Sequence, residues 1–558
     1  MSFRDLPHSF KDVFCGWYGK VPGELALTKE QKERNTAAIE DGMEEPPTKV
    51  AFNSLWPAFT AGAGLFSDGY VANSVATVNI CLKRIYGDKY TESTAISNVT
   101  SIAFVGIVVG QLSFGYISDH IARKGGMMAA NIILVFFTLC CAAASWGVTP
   151  EGMFAALTVF RFFLGIGIGA EYPTASVIAS EFANQLPVGH RNRYFIWFTN
   201  SCICLGYVAA AFVPMVLLWI TSTSDRDLHI VWRLTLGIGA LFPTVLFFMR
   251  RKMKPSESYQ KTNLKGVKKF PWLLVIKFYW FRLAIVSIVW FIYNFSVFSF
   301  GLYSSYILDM LIPGSNLYST FGWNVLFNVF YLPGTFVGAF FTDYFGPRLT
   351  MAFGLFVQAI IGYSMTGSFD SLKTKIAGFV VVFGIFTSFG EIGPGNNVGC
   401  LASKTSATAI RGQYYGIAAA WGKVGGFVGT YVFPVIMKNH GGEDSDEGIK
   451  TAFYVSSSLC LFSAILTLFF CPSVGQEAIN EEDKNFIDYL RANNFDLSRL
   501  GDGSLGEDPE LSVGSSDEKT GAYRFDETSV TSPSNTATKT VSDDVSNDAS
   551  KEALKESK

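Results

Sequence analysis

Gly115-Tyr-Ile-Ser-Asp119-His-Ile-Ala-Arg123-Lys124 closes one long apolar segment, and a variant, Asp343-Tyr-Phe-Gly346-Pro-Arg348, closes another about 220 residues later. The glycine of the first lets two helices approach closely, while the carboxylate and guanidinium tie helix ends together, so Asp119, Arg123, Asp343 and Arg348 read as gating rather than binding residues. The same offset recurs elsewhere. Gly169-Ala-Glu171-Tyr172-Pro173 is answered by Gly390-Glu391-Ile-Gly393-Pro394-Gly395, and Arg191 opens one apolar segment much as Arg411 opens another. Four correspondences in one order indicate a duplicated unit of six helices.

The whole chain fits that unit taken twice. Its 558 residues are 49% hydrophobic and only 16% charged, with a mean hydropathy of +0.29, which excludes an ordinary soluble surface. Apolar segments run approximately at 54–77, 98–118, 127–147, 153–179, 194–220 and 230–249, then at 282–308, 320–341, 349–367, 375–400, 410–437 and 451–471. Each approaches the roughly 20 residues that span a bilayer. The fold expected is therefore an all-α membrane protein with twelve transmembrane helices in two six-helix bundles. Its parts are an N-terminal segment (1–51), a first bundle (52–250), a central loop (251–281), a second bundle (282–471) and a largely disordered tail (472–558). Part of the central loop, 270–280, is amphipathic enough to lie on the membrane surface.

Basic clusters at Arg123-Lys124, Arg191/Arg193, Arg250–Lys269, Arg348 and Arg411 fall on one side if the helices alternate, which makes that side and both termini cytoplasmic. Lys83, Arg84 and Lys89 are the exception. The first fifty residues contain no apolar core of a signal peptide. The nine cysteines show neither zinc spacing nor a disulfide framework, and neither a cofactor motif nor a nucleophile–base arrangement stands out, so no metal, cofactor or enzyme chemistry is expected. Nucleic acid is excluded as a partner for want of a basic domain. The Ser/Thr/Lys-rich tail offers sites for regulatory modification, although a plainly solvated tail is the simpler reading.

Charges inside the apolar segments are few: Asp68, Arg161, Glu171, Glu181, Glu391 and Lys423. At mid-membrane each costs at least about 2.5–3.5 kcal/mol, so each faces a cavity or a partner. A structural ion pair or a helix end is the competing reading for any one of them, and Glu181 reads as a helix end. The repeat brings Asp68, Glu171, Glu391 and Lys423 to helices 1, 4, 10 and 11, which meet at a central site. All five histidines fall in loops or tails, which leaves proton traffic to carboxyl groups, chiefly Asp68 and Glu171. Lys423, among Gly422, Gly425 and Gly426, reads as the counter-charge for an anion.

With these residues in place the chain resembles the phosphate:proton symporter branch of the major facilitator superfamily, and within it the fungal glycerophosphodiester permeases. The resemblance rests on Ser67-Asp68-Gly-Tyr70, on Arg161 leading to Gly165-Ile-Gly-Ile-Gly-Ala-Glu171-Tyr172-Pro173-Thr174, on Lys277-Phe-Tyr-Trp280, and on Arg411-Gly412 through Gly422-Lys423. It implies a proton-coupled importer in the plasma membrane, working as a monomer with a small-molecule glycerophosphodiester and protons as its partners. Asp68 and Glu171 would couple protons, and Tyr172, Trp290 and Lys423 would bind substrate. Asn294 and Glu391 depart from the phosphate-carrier pattern of Asp and Asn, Phe298 stands where a tyrosine is expected, and Asn200 is the nearest amide to a missing glutamine.

These departures point away from inorganic phosphate. A phosphodiester carries a single charge, and Glu391 suits a substrate that also carries a cation. Glycerophosphocholine is therefore the favoured substrate, with Lys423 at its phosphate and Glu391 near its choline, caged by Tyr293, Phe295, Phe298 and Phe389. Glycerophosphoinositol and inorganic phosphate are the alternatives, followed by a sugar porter or a non-transporting nutrient sensor.

Overall fold

The computed structural model describes residues 52–507 apart from Trp146, Val148, Val188, Gly266, Lys268, Lys269, residues 312–315, Glu443 and Asp444, with backbone alone for 52–54, 298–311 and 506–507. The segments read as an N-terminal extension (1–51) and as the end of the tail (508–558) lie outside the described residues.

Twelve membrane-length helices follow one another without a strand among the described residues. They are α1 (Phe52–Gly62, continued as Gly64–Tyr86), α2 (Ala95–His120), α3 (Arg123–Ala142), α4 (Pro150–Asn184), α5 (Arg191–Ile220) and α6 (Asp225–Arg250). The second set is α7 (Trp272–Leu311), α8 and α9 within Leu317–Gly367, α10 (Ile376–Lys404), α11 (Arg411–Asn439) and α12 (Asp446–Phe470). Gly346 divides α8 from α9. Its φ of 81° is open to glycine at little cost, and Pro347 restarts the helix beyond it.

Backbones meet where the sequence supplies glycine. A Cβ on Gly106 would lie 2.0 Å from the Phe162 carbonyl oxygen and one on Gly169 2.1 Å from that of Ile107, so α2 and α4 touch main chain to main chain. Between the bundles, α2 packs along α11 and α5 along α8, related positions in the repeat.

The repeated loops close the basic end of the molecule. Asp119, in the last turn of α2, accepts hydrogen bonds from the backbone N–H of Gly412 (3.0 Å) and Gln413 (2.8 Å), capping α11 of the other bundle. Asp343, in the last turn of α8, accepts from the backbone N–H of Arg193 (3.1 Å) and so caps α5. Each bundle thus holds the first turn of a helix in its partner. Arg123 binds Asp119, Glu181 and the Thr408 carbonyl oxygen. Arg411 lies 3.5 Å from Glu181, so that carboxylate, in the last turn of α4 as a helix end would be, also links the two bundles. Arg348 donates to the Leu468 carbonyl oxygen within its own bundle.

Two features differ from the sequence reading. The amphipathic stretch before helix 7 is the first part of α7 itself, because Pro271 starts the helix and nothing interrupts it afterwards. The described part of the tail forms a further helix, α13 (Ala478–Ala492), docked across the basic end. There Glu477 pairs with Arg191, Glu482 with Arg282, and Asp483 accepts from the Thr408 N–H and hydroxyl.

Replacing Asp119 by Ala leaves two buried N–H groups and Arg123 short of an acceptor, a cost of about 1–3 kcal/mol to the closed arrangement. We expect a cysteine placed at Ser406, in an otherwise cysteine-free variant, to become reactive toward an impermeant thiol reagent applied at the basic end, and to stay protected when Asp119 is intact.

Candidate functional site

The site is built by two helices that break their own regularity at matching places. In α4 a π-helical turn covers Tyr172–Ser176, directly after Glu171; in α10 another covers Glu391–Gly395. Pro173 and Pro394 each remove a backbone N–H, which makes the regular pattern impossible there. A widened turn shifts the next side chains around the helix, and such turns are frequent at functional sites. Both glutamates are buried beside these turns.

Glu171 is held by a cation that the sequence places in the basic loop. Arg250, the last residue of α6, is fully buried and grips both carboxylate oxygens, at 2.6 and 2.9 Å. The same guanidinium donates to Asn131 Oδ1 (2.9 Å) and to the carbonyl oxygens of Thr60 and Ala61. Its fork satisfies a planar carboxylate and two helix backbones at once. Gly64 makes room for it, since a Cβ there would lie 2.0 Å from the guanidinium. An arginine at the end of an apolar segment is ordinarily read as solvated, so the pair left little trace in the sequence. Arg161 likewise serves structure, donating to the Val99 carbonyl oxygen.

Asp68, on α1, is buried, and neither carboxyl oxygen accepts a hydrogen bond. It lies in the electrostatic field of Glu171, Arg250 and Lys423. Lys423, on α11, is buried with its ammonium 5.3 Å from the centre of the Tyr172 ring. A Cβ on Gly422 would come within 2.6 Å of Trp290 and 2.9 Å of Asn294, so these two α7 side chains press on α11 beside the lysine. The amide nitrogen of Asn294 is buried without a hydrogen-bond acceptor.

Glu391 is held only by neutral donors. It accepts from the amide of Asn200 (2.7 Å), the hydroxyl of Tyr293 (3.2 Å) and the thiol of Cys204 (3.7 Å). Asn200 also donates to Asn396, which fixes the amide between the bundles. Tyr172, Tyr207 and Tyr331 share the field of this carboxylate, and the last two rings meet edge to face at 5.6 Å. The aromatic surroundings of Glu391 thus include these tyrosines, with Phe327, Phe383 and Phe386 lining the same small cavity. Phe295 packs on Phe433 and Phe389 on Phe353, while the Phe298 side chain lies outside the described set. Tyr172 lies against Lys423 and within the electrostatic reach of both Asp68 and Glu391.

Changing Arg250 to Ala strands Glu171 as an uncompensated buried charge and should lower stability by about 3–5 kcal/mol. Adding Glu171→Gln to that variant should recover much of the loss, read as the thermal unfolding midpoint of the purified protein.

The model of the sugar (and other) transporter family matches residues 55–263 and 251–486. A major glycerophosphoinositol permease of Candida albicans is 58% identical over 90% of this chain and 95% of its own length. A glycerophosphocholine permease of the same organism is also 58% identical, over 93% of this chain and 98% of its own. Among solved structures, the major facilitator proton:xylose symporter XylE superposes with a TM-score of 0.66 at 15% identity, covering 78% of this chain and 98% of that one. The chain belongs to the sugar (and other) transporter family, with the major facilitator fold, and within it to the glycerophosphodiester permeases.

Proposed function

We propose that this chain is a proton-coupled symporter that imports glycerophosphodiesters, with glycerophosphocholine favoured. The observation that carries the substrate reading is Glu391: a buried carboxylate with neutral hydrogen-bond donors and tyrosine rings around it. A quaternary ammonium makes no hydrogen bond and is held by negative charge and aromatic faces, which is what this surface offers. Lys423, with Tyr172, Trp290 and Asn294 about it, offers a point charge and a few polar groups for one phosphodiester anion. The relatives' names support the class and divide on the headgroup at equal identity, so the choice of choline rests on the residues.

Asp68 supports the coupling. An ionised carboxylate without hydrogen-bond donors would bear the cost of an unsolvated charge, whereas the protonated form does not. We assign coupling to Asp68 and Glu171 together, with Asp68 loading first because Glu171 already holds Arg250. Substrate arriving at Lys423 weakens the lysine's hold on Asp68 and favours its proton, which ties the two cargoes. A neutral zwitterion moving with one proton carries one positive charge, which the membrane potential favours by about 2.3 kcal/mol per 100 mV.

The basic end, closed by Asp119, Arg123 and Asp343, is assigned to the cytoplasm with both termini, by the positive-inside rule, and Arg348 is assigned to the same gate through its place in the repeat. The remaining assignments are a plasma-membrane location, a monomer within membrane lipid, regulation through modification of the tail, and no enzymatic activity.

Uptake of labelled glycerophosphocholine, glycerophosphoinositol and phosphate in one transport-null host tests the reading. Wild type should accumulate the first most strongly, and a protonophore should abolish accumulation. Lys423→Ala should lower uptake of each diester about tenfold or more. Glu391→Gln should cut glycerophosphocholine uptake selectively; unchanged choline-diester transport in that variant would remove the choline assignment.

A further inference from the structure

Glu391 itself lines a cavity of about 70 Å³, with four carboxamides (Asn73 on α1, Asn324 and Asn328 on α8, Gln358 on α9), with Tyr293, Tyr331 and Thr387, and with the rings of Phe327, Phe383 and Phe386. Four amides from three helices border one small space inside a membrane protein; Asn328 and Gln358 are buried and Asn73 and Asn324 half-buried, and a buried amide is costly unless something uses its donors and acceptors. Three are already linked in a row. Asn73 donates to Asn328 Oδ1 (3.0 Å), across the two bundles, and Asn328 donates to the Asn324 carbonyl oxygen (2.7 Å). Thr387 donates to the Phe383 carbonyl oxygen of its own helix.

The chemistry of this lining differs from that of its neighbours. No lysine or arginine lines the cavity, so it does not suit a phosphate. A trimethylammonium group would be met by Glu391 and the aromatic rings of this lining, whereas the amides give it nothing that water does not give. A hydroxyl both donates and accepts, and each carboxamide presents a donor and an acceptor side by side, so adjacent amides match adjacent hydroxyls. Discrimination is built in: when a substrate lacks the hydroxyl, the buried amides stay unpaired. About 70 Å³ holds more than one water-sized group and is suited to a short polyol arm.

We propose that Asn73, Asn324, Asn328 and Gln358 form a hydroxyl-reading subsite that takes vicinal hydroxyls of the substrate, separate from Lys423 and adjoining Glu391. This rests on the glycerophosphodiester reading given above. Because Asn73 and Asn328 belong to different bundles, hydroxyls inserted between them would replace a direct contact between the bundles with one made through substrate. The subsite therefore contributes to recognition at the point where the bundles must part.

Two sources supply such hydroxyls, the glycerol arm common to all these diesters and the inositol ring of one of them. Uptake is compared in a transport-null host for glycerophosphocholine, glycerophosphoinositol and ethylphosphocholine, which keeps the phosphocholine and lacks both glycerol hydroxyls. Wild type should prefer glycerophosphocholine to ethylphosphocholine by about tenfold for each hydroxyl read. Asn324→Leu and Gln358→Leu, at matched surface abundance, should erase that preference while leaving ethylphosphocholine uptake near the wild-type level. If instead they lower only glycerophosphoinositol uptake, the inositol ring is the occupant and the hydroxyl subsite stands. Equal loss of all three substrates, or an unchanged preference, would overturn the proposal. If the leucine variants fail to reach the membrane, Asn324→Ser and Gln358→Met give the same comparison. Absence of any diester uptake by wild type would instead refute the underlying transport reading.

Discussion

A carboxylate in a low-dielectric interior must be matched by a cation, by hydrogen-bond donors or by a proton. The three central carboxyls of this chain differ in which of these they have. Glu171 has the guanidinium of Arg250 on both oxygens. Glu391 has an amide, a phenol and a thiol. Asp68 has no hydrogen-bond donor, and its nearest cationic influences are Arg250 and Lys423 at a distance. The roles we propose rest on that inequality: the carboxyl with the least support is assigned the exchangeable proton, and the one with neutral support is assigned to a cationic headgroup.

The duplicated unit explains how such different sites share one frame. Both glutamates sit beside a π-helical turn forced by a proline, and both bundles cap a helix of their partner through an aspartate in the last turn of the second helix of the unit. The repeat supplies geometry, and the partners supply chemistry. In the first bundle the glutamate faces α1 at Gly64 and α6, and is neutralised at once by Arg250. In the second it faces the other bundle, through Asn200 and Cys204 of α5, and stays within reach of the space between them. Rocking one bundle against the other would leave the Glu171 pair intact and disturb every bond made to Glu391 from α5.

Much of the frame was legible in sequence because it depends on residue types at fixed spacing. The twelve apolar segments, the matched gate loops and the paired glutamate–proline turns all leave such a pattern; of the four charges that the repeat assigned to a central site, Asp68 interacts electrostatically with Glu171 and Lys423, and Glu391 is bonded to α5. What sequence did not reveal depends on side-chain direction. Arg250 ends an apolar segment and reads as solvated, yet its side chain turns back into the bundle. Tyr207 and Tyr331 carry no motif, and they stand by Glu391 only because α5 and α8 pack together. The amides of the small cavity are spread over helices 1, 8 and 9, so no local spacing could join them. Helix α13 reads as the start of a polar tail because its charged residues find their partners on the helix ends beneath it.

The central claim is that Asp68 carries the proton while Lys423 carries the substrate. Purified protein in vesicles can be assayed in two modes, net uptake driven by a pH gradient and exchange of labelled for unlabelled substrate with no gradient. Asp68→Asn, which mimics the protonated residue permanently, should lose gradient-driven uptake and keep exchange. Gradient-driven accumulation at the wild-type level in that variant would contradict it.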